Sequence, residues 1–189
     1  MLNLYKLIEI LVSLQSLVIT AMLPVYIPLP LVNKYNNILE IPITWQIPTT
    51  ILLTIIFDRK VVFRAFFIYI ILGLFIAPVF HQGGSIGYLL TPNFGYLLGL
   101  YPLIKIIDNL NNRKKLNVGN FLKNGFIAIG AMHLTGIFYN FIQIIFHSQF
   151  NLFLYNLGKY SLGKIGYHFF MLFPLLLLIK PIERLKRSK

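Results

Sequence analysis

The sequence has 189 residues, of which 57% are hydrophobic and only 12% are charged, and its mean hydropathy is +0.74. This composition excludes an ordinary soluble domain, in which about 25% of residues are charged. Seventeen Lys and Arg against five Asp and Glu give a formal net charge of +12, and the absence of cysteine excludes disulfides and thiolate ligands.

The apolar residues occur in long runs, which predict an all-α integral membrane protein. A transmembrane helix needs about 20 mostly apolar residues, because each residue rises ~1.5 Å through a hydrocarbon core of ~30 Å. We predict a bundle of six such helices in a single membrane domain over residues 1–189. In chain order they are Leu7–Ile27, Pro42–Phe57, Val61–Val79, Ile86–Ile107, Phe121–Phe146 and Ile165–Ile182. We expect the first helix to be retained and not cleaved as a signal peptide. Lys6 is the only charged residue before its apolar run, and no small-residue cleavage signal follows.

The charged residues between these runs predict the orientation of the bundle. Cations cluster in alternate connections and in the tail, at Arg59, Lys60, Arg64, Arg113, Lys114, Lys115, Lys123, Arg184, Lys186, Arg187 and Lys189. The connections on the other side of the predicted membrane contain only three cations, Lys34, Lys159 and Lys164. By the positive-inside rule both termini are cytoplasmic and the Gly-rich connection faces outside. We therefore predict a multi-pass protein of the inner (plasma) membrane, with the lipid bilayer as a partner and no nucleic acid.

The sequence contains no recognisable catalytic, metal-binding or nucleotide-binding motif. The stretch Gly158–Lys164 fits the G-x-x-x-x-G-K pattern of a phosphate-binding loop, but Ile165 follows where Ser or Thr must hold Mg²⁺. We interpret the stretch as a flexible Gly-rich loop. The four histidines lack metal-ligand spacing, and the five carboxylates lie near predicted helix ends or in loops. The sequence accordingly predicts no enzyme, no metal site and no cofactor.

Proline and glycine punctuate the middle of the chain, where polar side chains also gather. The segments concerned are Ile27–Pro30, Ile41–Gln46, Ala77–Gly84 and Leu90–Gly99. Irregular backbone within a membrane is tolerated only where it is buried or lines a cavity, so these segments predict a small-molecule pocket open to the outside. Helix-end turns, with Trp45 and Tyr96 in an interfacial aromatic belt, explain the same pattern equally well.

The same segments resemble the BioY family, the biotin-binding membrane subunits (S components) of bacterial energy-coupling-factor transporters. Residues 27–30 read I-P-L-P, and P-I-T-W-Q at 42–46 is similar to the V-P-I-T-L-Q of the family. Residues 69–80 are similar to Y-x-x-x-G-x-x-G-x-P-V-F, and T-P-N-F-G-Y-L-L-G-L at 91–100 is similar to G-P-T-G-G-Y-L-L-G-F. Order and spacing match over about residues 27–100.

The resemblance implies six helices, a vitamin bound near the outer surface and no ATPase activity in the chain itself. Its implied partners are biotin or a similar small vitamin, a transmembrane coupling subunit and two cytoplasmic ATP-binding subunits. The matched segments imply a substrate site that includes Thr44, Gln46, Gly83, Gly84, Asn93 and Tyr96.

The last predicted helix departs from the family pattern Pro-x-Gly-Asp-x-x-Lys, whose Asp and Lys contact the biotin head group. Aligning the glycine with Gly163 places Lys164 at the acid and Tyr167 at the lysine, and both join the expected site. An ammonium has three donors and no acceptor, so Lys164 cannot replace the acid. It turns away as a solvated loop cation, binds the ureido carbonyl, or meets an anionic part of the ligand. His168, one turn further, is expected to be a packed helix residue.

Several functions stay open at this point. The preferred one is capture of biotin for an energy-coupling-factor importer. The alternatives are capture of another small vitamin, a non-transporting membrane scaffold or assembly protein, and a membrane enzyme. Binding by the purified chain without ATP distinguishes them, since a capture subunit binds, a scaffold binds nothing and an enzyme turns its substrate over.

Overall fold

A computed structural model describes residues 4–28, 38–111, 117–147 and 150–187, and most of these residues are helical. The α-helices and strands in chain order are α1 Leu4–Met22, β1 Pro24–Pro28, β2 Ile38–Thr44, α2 Gln46–Ile56, α3 Arg59–Phe75, α4 Pro92–Leu98, α5 Leu100–Asn111, α6 Val118–His147, α7 Phe150–Asn156, α8 Gly163–Phe170 and α9 Leu172–Arg187. A 3₁₀ helix covers Ile86–Leu90 and a π-helical segment covers Leu157–Leu162. Lys34 and the cations at 113–115 lie outside the described residues.

Long apolar helices confirm a helical membrane protein. Within the described ranges, three helical stretches are long and apolar enough to cross a membrane, namely Leu4–Met22, Val118–Ile145 and Phe150–Ile179. The predicted helix Phe121–Phe146 is confirmed within α6. The count of six crossings and the side of each terminus stay predictions.

A β-hairpin occupies the junction between the first two predicted helices, which corrects the prediction there. α1 ends at Met22, short of the predicted end, and β1 pairs with β2 in antiparallel register with Pro24 opposite Thr44. Proline fixes φ and withholds an N–H, so Pro24 does not continue the helical ladder. The side chains then alternate as in a strand, with Val25 buried and Tyr26 exposed.

The second predicted helix also begins late, at Gln46 rather than at Pro42, because residues 38–44 form β2. The N–H of Trp45 donates to the carbonyl of Leu23 at 3.0 Å and closes the base of the hairpin. A small apolar cluster then packs the hairpin against the C-terminal helices; its members are Val25, Ile41, Ile43 and Met171. The hairpin thereby packs against the junction of α8 and α9, beside the start of α2.

The fourth predicted helix, Ile86–Ile107, is interrupted twice, and the third ends at Phe75 rather than at Val79. The Oγ1 of Thr91 donates to the carbonyl of Tyr88 at 2.8 Å, which closes the 3₁₀ turn. Pro92, which has no N–H to satisfy, then begins α4. The break at Gly99 is slight, because Gly99 keeps helical dihedral angles and its N–H donates to the carbonyl of Gly95 at 3.1 Å, so α5 continues α4 with little change of direction.

The last predicted helix is longer than expected and changes geometry along its length. Helical structure begins at Phe150 and passes through the π-helical segment before α8. The stretch Gly158–Lys164 is therefore helical, and its prediction as a flexible loop was wrong. Short π-helical insertions are rare and frequently lie at functional sites.

Glycines let α4 and the start of α5 press against α6. A Cβ added at Gly99 would lie 2.5 Å from the carbonyl oxygen of Met132, and one added at Gly136 would lie 2.3 Å from the ring of Tyr96. Small residues at helix contacts allow such close approach of backbones in membrane proteins. The contact places Tyr96 of α4 and the middle of α6 side by side.

Candidate functional site

A cavity of about 430 Å³ lies between the hairpin, α2, α3, α4, the start of α5, α6, the π-helical segment and α8. This volume is within the ~300–1,000 Å³ typical of small-molecule sites. Its polar and charged lining side chains are Glu40, Thr44, Gln46, Tyr69, His81, Gln82, Tyr88, Asn93, Tyr96, Lys159, Tyr160, Lys164 and His168. Its buried apolar lining consists of Ile41, Ile43, Phe80, Leu97, Leu100 and Met132.

Hydrogen bonds hold the wall formed by α2 and α3. Gln46 is the first residue of α2, and its Nε2 donates to the Oη of Tyr69 at 3.0 Å. Tyr69 donates in turn to the carbonyl of Val79 at 3.3 Å. Gln46 also lines the cavity, and its amide carries an acceptor oxygen besides the donor that this bond uses.

A tight loop closes the cavity between α3 and the 3₁₀ helix. Phe80 and Gly83 exchange backbone hydrogen bonds of 2.9 and 3.1 Å, with φ of +135° at Gly83 and +70° at Gln82. A Cβ on Gly84 would lie 2.7 Å from the carbonyl oxygen of Gly73, so only glycine fits there. The loop directs the side chain of Gln82 to the cavity, where its Oε1 accepts from Asn93 at 3.3 Å.

Two lysines bring positive charge to the cavity. The ammonium groups of Lys159 and Lys164 lie 5.2 and 5.4 Å from the ring centroid of Tyr160. In the described part of the chain neither forms an ion pair, whereas Arg59 pairs with Asp108 at 3.3 Å elsewhere. Lys159 is exposed and Lys164 is half-buried. The cavity thus offers cationic donors at its exposed edge and further inside.

His81, in the loop after α3, faces the same cations. Burial lowers the pKa of its imidazole below the ordinary value, and the nearby ammonium of Lys164 lowers that pKa further. Desolvation and a like charge both disfavour the protonated ring. A neutral His81 leaves the two lysines as the cationic groups on this side of the cavity.

A buried chain of polar side chains reaches the cavity from α6. The Nδ1 of His133 lies 3.0 Å from the Oγ of Ser161, and its Nε2 lies 3.0 Å from the Nδ1 of His168. All three side chains are buried. Tyr96 lies next to this chain, with its ring in edge contact with that of His133. No group of three metal-ligating side chains occurs among the described residues.

Comparison with known proteins decides the family. The model of the BioY family matches residues 2–175 of the sequence. The chain belongs to the BioY family.

Two individual proteins are similar to this BioY-family chain. It is 39% identical over 87 residues to the "Probable biotin transporter BioY" of Lysinibacillus sphaericus, a match that covers 46% of the chain and 40% of that relative's length. A crystal structure of "the S-component for biotin from an ECF-type ABC transporter" superposes with a TM-score of 0.63 and 17% identity, covering 99% of this chain and 95% of that one. At that identity the second likeness shows the S-component fold alone.

The cavity of this BioY-family chain gathers five of the eight residues expected at the site, namely Thr44, Gln46, Asn93, Tyr96 and Lys164. Gly83 and Gly84 do not line it, since they shape the loop that presents Gln82. Tyr167 does not line it either and is 42% exposed. It directly precedes His168 and so lies about 100° around the helix from it. Of the two residues that the alignment places at the Asp and Lys positions of the family pattern, Lys164 therefore lines the cavity and Tyr167 does not.

Several lining residues of the BioY-family chain were missed from sequence. Tyr69 was quoted only as part of a family pattern, and Lys159 only as a loop cation. His168 is buried as expected, but it also lines the cavity and bonds His133. The spacing of Lys164 and His168, four residues apart, was a usable signal, because such residues share one helix face. No local signal pointed to His133, which meets His168 only through helix packing.

Proposed function

We propose that this chain captures biotin outside the cell for an energy-coupling-factor importer. The observation that carries the proposal is a cavity of about 430 Å³ with apolar walls and two lysines without ion-pair partners in the described ranges. An anionic ligand with an apolar body complements such a surface. Family membership and the S-component fold support this capture role.

Biotin has chemistry that matches both ends of the cavity. Its aliphatic chain ends in a carboxylate, for which the exposed ammonium of Lys159 is a suitable partner. Its fused rings suit the apolar lining around Leu97, Leu100 and Met132. Its neutral ureido group needs donors and acceptors deeper in the cavity, where Lys164 and His168 lie one helical turn apart.

The proposal includes the orientation of the chain and its partners. Six membrane crossings with both termini in the cytoplasm place the loop at Gly83 outside, in the inner (plasma) membrane of the cell. Energy for release inside would come from a transmembrane coupling subunit and two ATP-binding subunits. The helical geometry of Gly158–Lys164 supports this division, because backbone N–H groups engaged in a helix do not cradle a phosphate.

Thermal unfolding of the purified chain with a panel of vitamins tests the proposal. A ligand that binds only the folded state stabilises it by about 2.7 kcal/mol at a concentration of ~100 Kd. We expect biotin to raise the melting temperature without ATP, and thiamine and riboflavin to leave it unchanged.

The other outcomes separate the alternatives. A shift with a different vitamin and none with biotin would keep the capture role and refute the ligand. No shift with any member of the panel, for a protein that melts cooperatively, would favour a membrane scaffold. Chemical conversion of a panel member would indicate an enzyme.

A further inference from the structure

His168 is a buried polar group with one unused ring nitrogen at the cavity. Its side chain is only 7% exposed, yet it lines the cavity. The Nδ1 atom is engaged with the Nε2 of His133 at 3.0 Å. The Nε2 atom has no hydrogen-bond partner among the described residues and is therefore available to a ligand.

The two buried tyrosines of the lining, Tyr69 and Tyr88, have already used their hydroxyl protons. The hydroxyl of Tyr69 donates to the carbonyl of Val79, and that of Tyr88 donates to the carbonyl of His81. Exposed or half-buried groups such as Glu40 and Gln46 lie nearer solvent. His168 is thus the fully buried member of the described lining that keeps a ring nitrogen for recognition.

The partners of His168 determine what that nitrogen offers. A neutral imidazole has one N–H donor and one acceptor nitrogen. If His133 donates from Nδ1 to the Oγ of Ser161, its Nε2 accepts from the Nδ1–H of His168, and the Nε2 of His168 becomes an acceptor. If Ser161 donates instead, every bond reverses and the Nε2 of His168 becomes a donor. A ligand at the cavity therefore selects one of two self-consistent proton arrangements.

We infer that the Nε2 of His168 accepts a hydrogen bond from a ligand ring N–H, while the ammonium of Lys164 donates to the adjacent carbonyl. The pair lies on one face of α8, at the separation of ~5–6 Å between Cβ atoms that neighbouring turns give. A cyclic urea presents a carbonyl flanked by two N–H groups, which suits this donor and acceptor pair. The inference rests on the proposed function and names the groups that recognise the ligand head.

This arrangement answers the absence of an acidic residue at position 164. Lys164 has donors only, so it cannot accept from a ligand N–H. His168 supplies the acceptor from the next turn of the same helix. Its hydrogen bonds to His133 and, through His133, to Ser161 form the histidine chain. It also explains why Ser161, 2% exposed, and His133, 1% exposed, are polar at buried positions.

Paired ligands test the inference directly. Biotin and biotin methylated on both ureido nitrogens are titrated into the parent and into His168→Phe. The parent should bind biotin about tenfold to a hundredfold more tightly than the methylated analogue, the effect of one buried hydrogen bond. His168→Phe should lose most of that preference. Phe170→Leu, on the exposed side of α8, should retain it.

A second measurement needs no variant of the histidine chain. In the parent labelled with ¹⁵N in its histidine rings, NMR reports which nitrogen of His168 carries the proton. With biotin bound, the proton should be on Nδ1. A proton on Nε2 would overturn the inference, and so would an unchanged preference for biotin over the methylated analogue in a folded His168→Phe. In either case, biotin binding by the parent would leave the proposed function standing. No biotin binding by the parent would refute both.

Discussion

The amide of Gln46 donates to the hydroxyl of Tyr69 at 3.0 Å, across the contact between the start of α2 and the middle of α3. The sequence predicted Gln46 at the site but did not predict Tyr69 there. Both residues line the cavity, and Tyr69 also donates to the Val79 carbonyl, so the two bonds connect α2, α3 and the loop after α3.

Substitution of either partner should weaken biotin binding. We expect Gln46→Leu and Tyr69→Phe each to raise the Kd about tenfold, and the double variant to raise it less than the product of the two. Residues in direct contact couple by ~0.5–3 kcal/mol, so additive losses would contradict a shared role. Tyr101→Phe, an exposed tyrosine outside the cavity lining, is the matched control for the Tyr69 variant. Titration calorimetry of the parent and of the four variants measures these changes in Kd.

The two lysines should contribute differently. Lys159 is exposed, so its attraction for a ligand carboxylate is screened by salt, whereas half-buried Lys164 is screened less. We expect Lys159→Gln to abolish the preference for biotin over biotin amide at low ionic strength. Lys164→Met should weaken both ligands by a similar factor. If Lys164→Met instead removes only the preference for the carboxylate, the ligand lies in the opposite direction in the cavity.

The contact of Gly99 with α6 should be sensitive to a single methyl group. A Cβ there would lie 2.5 Å from the backbone oxygen of Met132, so Gly99→Ala must separate the helices. We expect a lower melting temperature, with a loss of stability of roughly 1–3 kcal/mol. Gly130→Ala is the matched control on α6, because nothing lies within 4 Å of its added Cβ. Equal melting temperatures for the two variants would refute this close contact.

The membrane orientation is open to labelling, because the chain contains no cysteine. Lys60→Cys lies in the first turn of α3, and Gln82→Cys lies in the loop after α3. An impermeant maleimide added to intact cells should label position 82 and should reach position 60 only after the membrane is opened. Labelling of both positions in intact cells would contradict the proposed orientation.

The length of apolar runs predicted the membrane helices well where the helix is regular. α6 follows the predicted Phe121–Phe146 closely, because its run has no proline and its glycines sit within the helix. The hairpin at Pro24 was missed because Val25 and Ile27 continue the apolar run, and composition alone does not separate a strand from a helix there. Only pairing with β2 determines the strand.

The residues of the candidate site likewise include some that the sequence predicted and some that it did not. Gln46 and Asn93 were expected at the site because they lie in irregular segments, rich in proline and glycine, that also resemble the BioY family. The histidine chain was not, because His133 and His168 are 35 residues apart and meet through the packing of α6 against α8. The π-helical segment changes the register before α8, so ordinary helical spacing from α7 does not predict which residues of α8 face the cavity.

Titration of the purified full chain with biotin, in detergent and without ATP, tests the central claim most directly. We expect saturable binding of one biotin per chain, displaced by unlabelled biotin, and weakened about tenfold or more by Lys164→Met. Absence of heat and of displaceable binding, in a preparation that is monodisperse and melts cooperatively, would contradict capture of biotin by this chain.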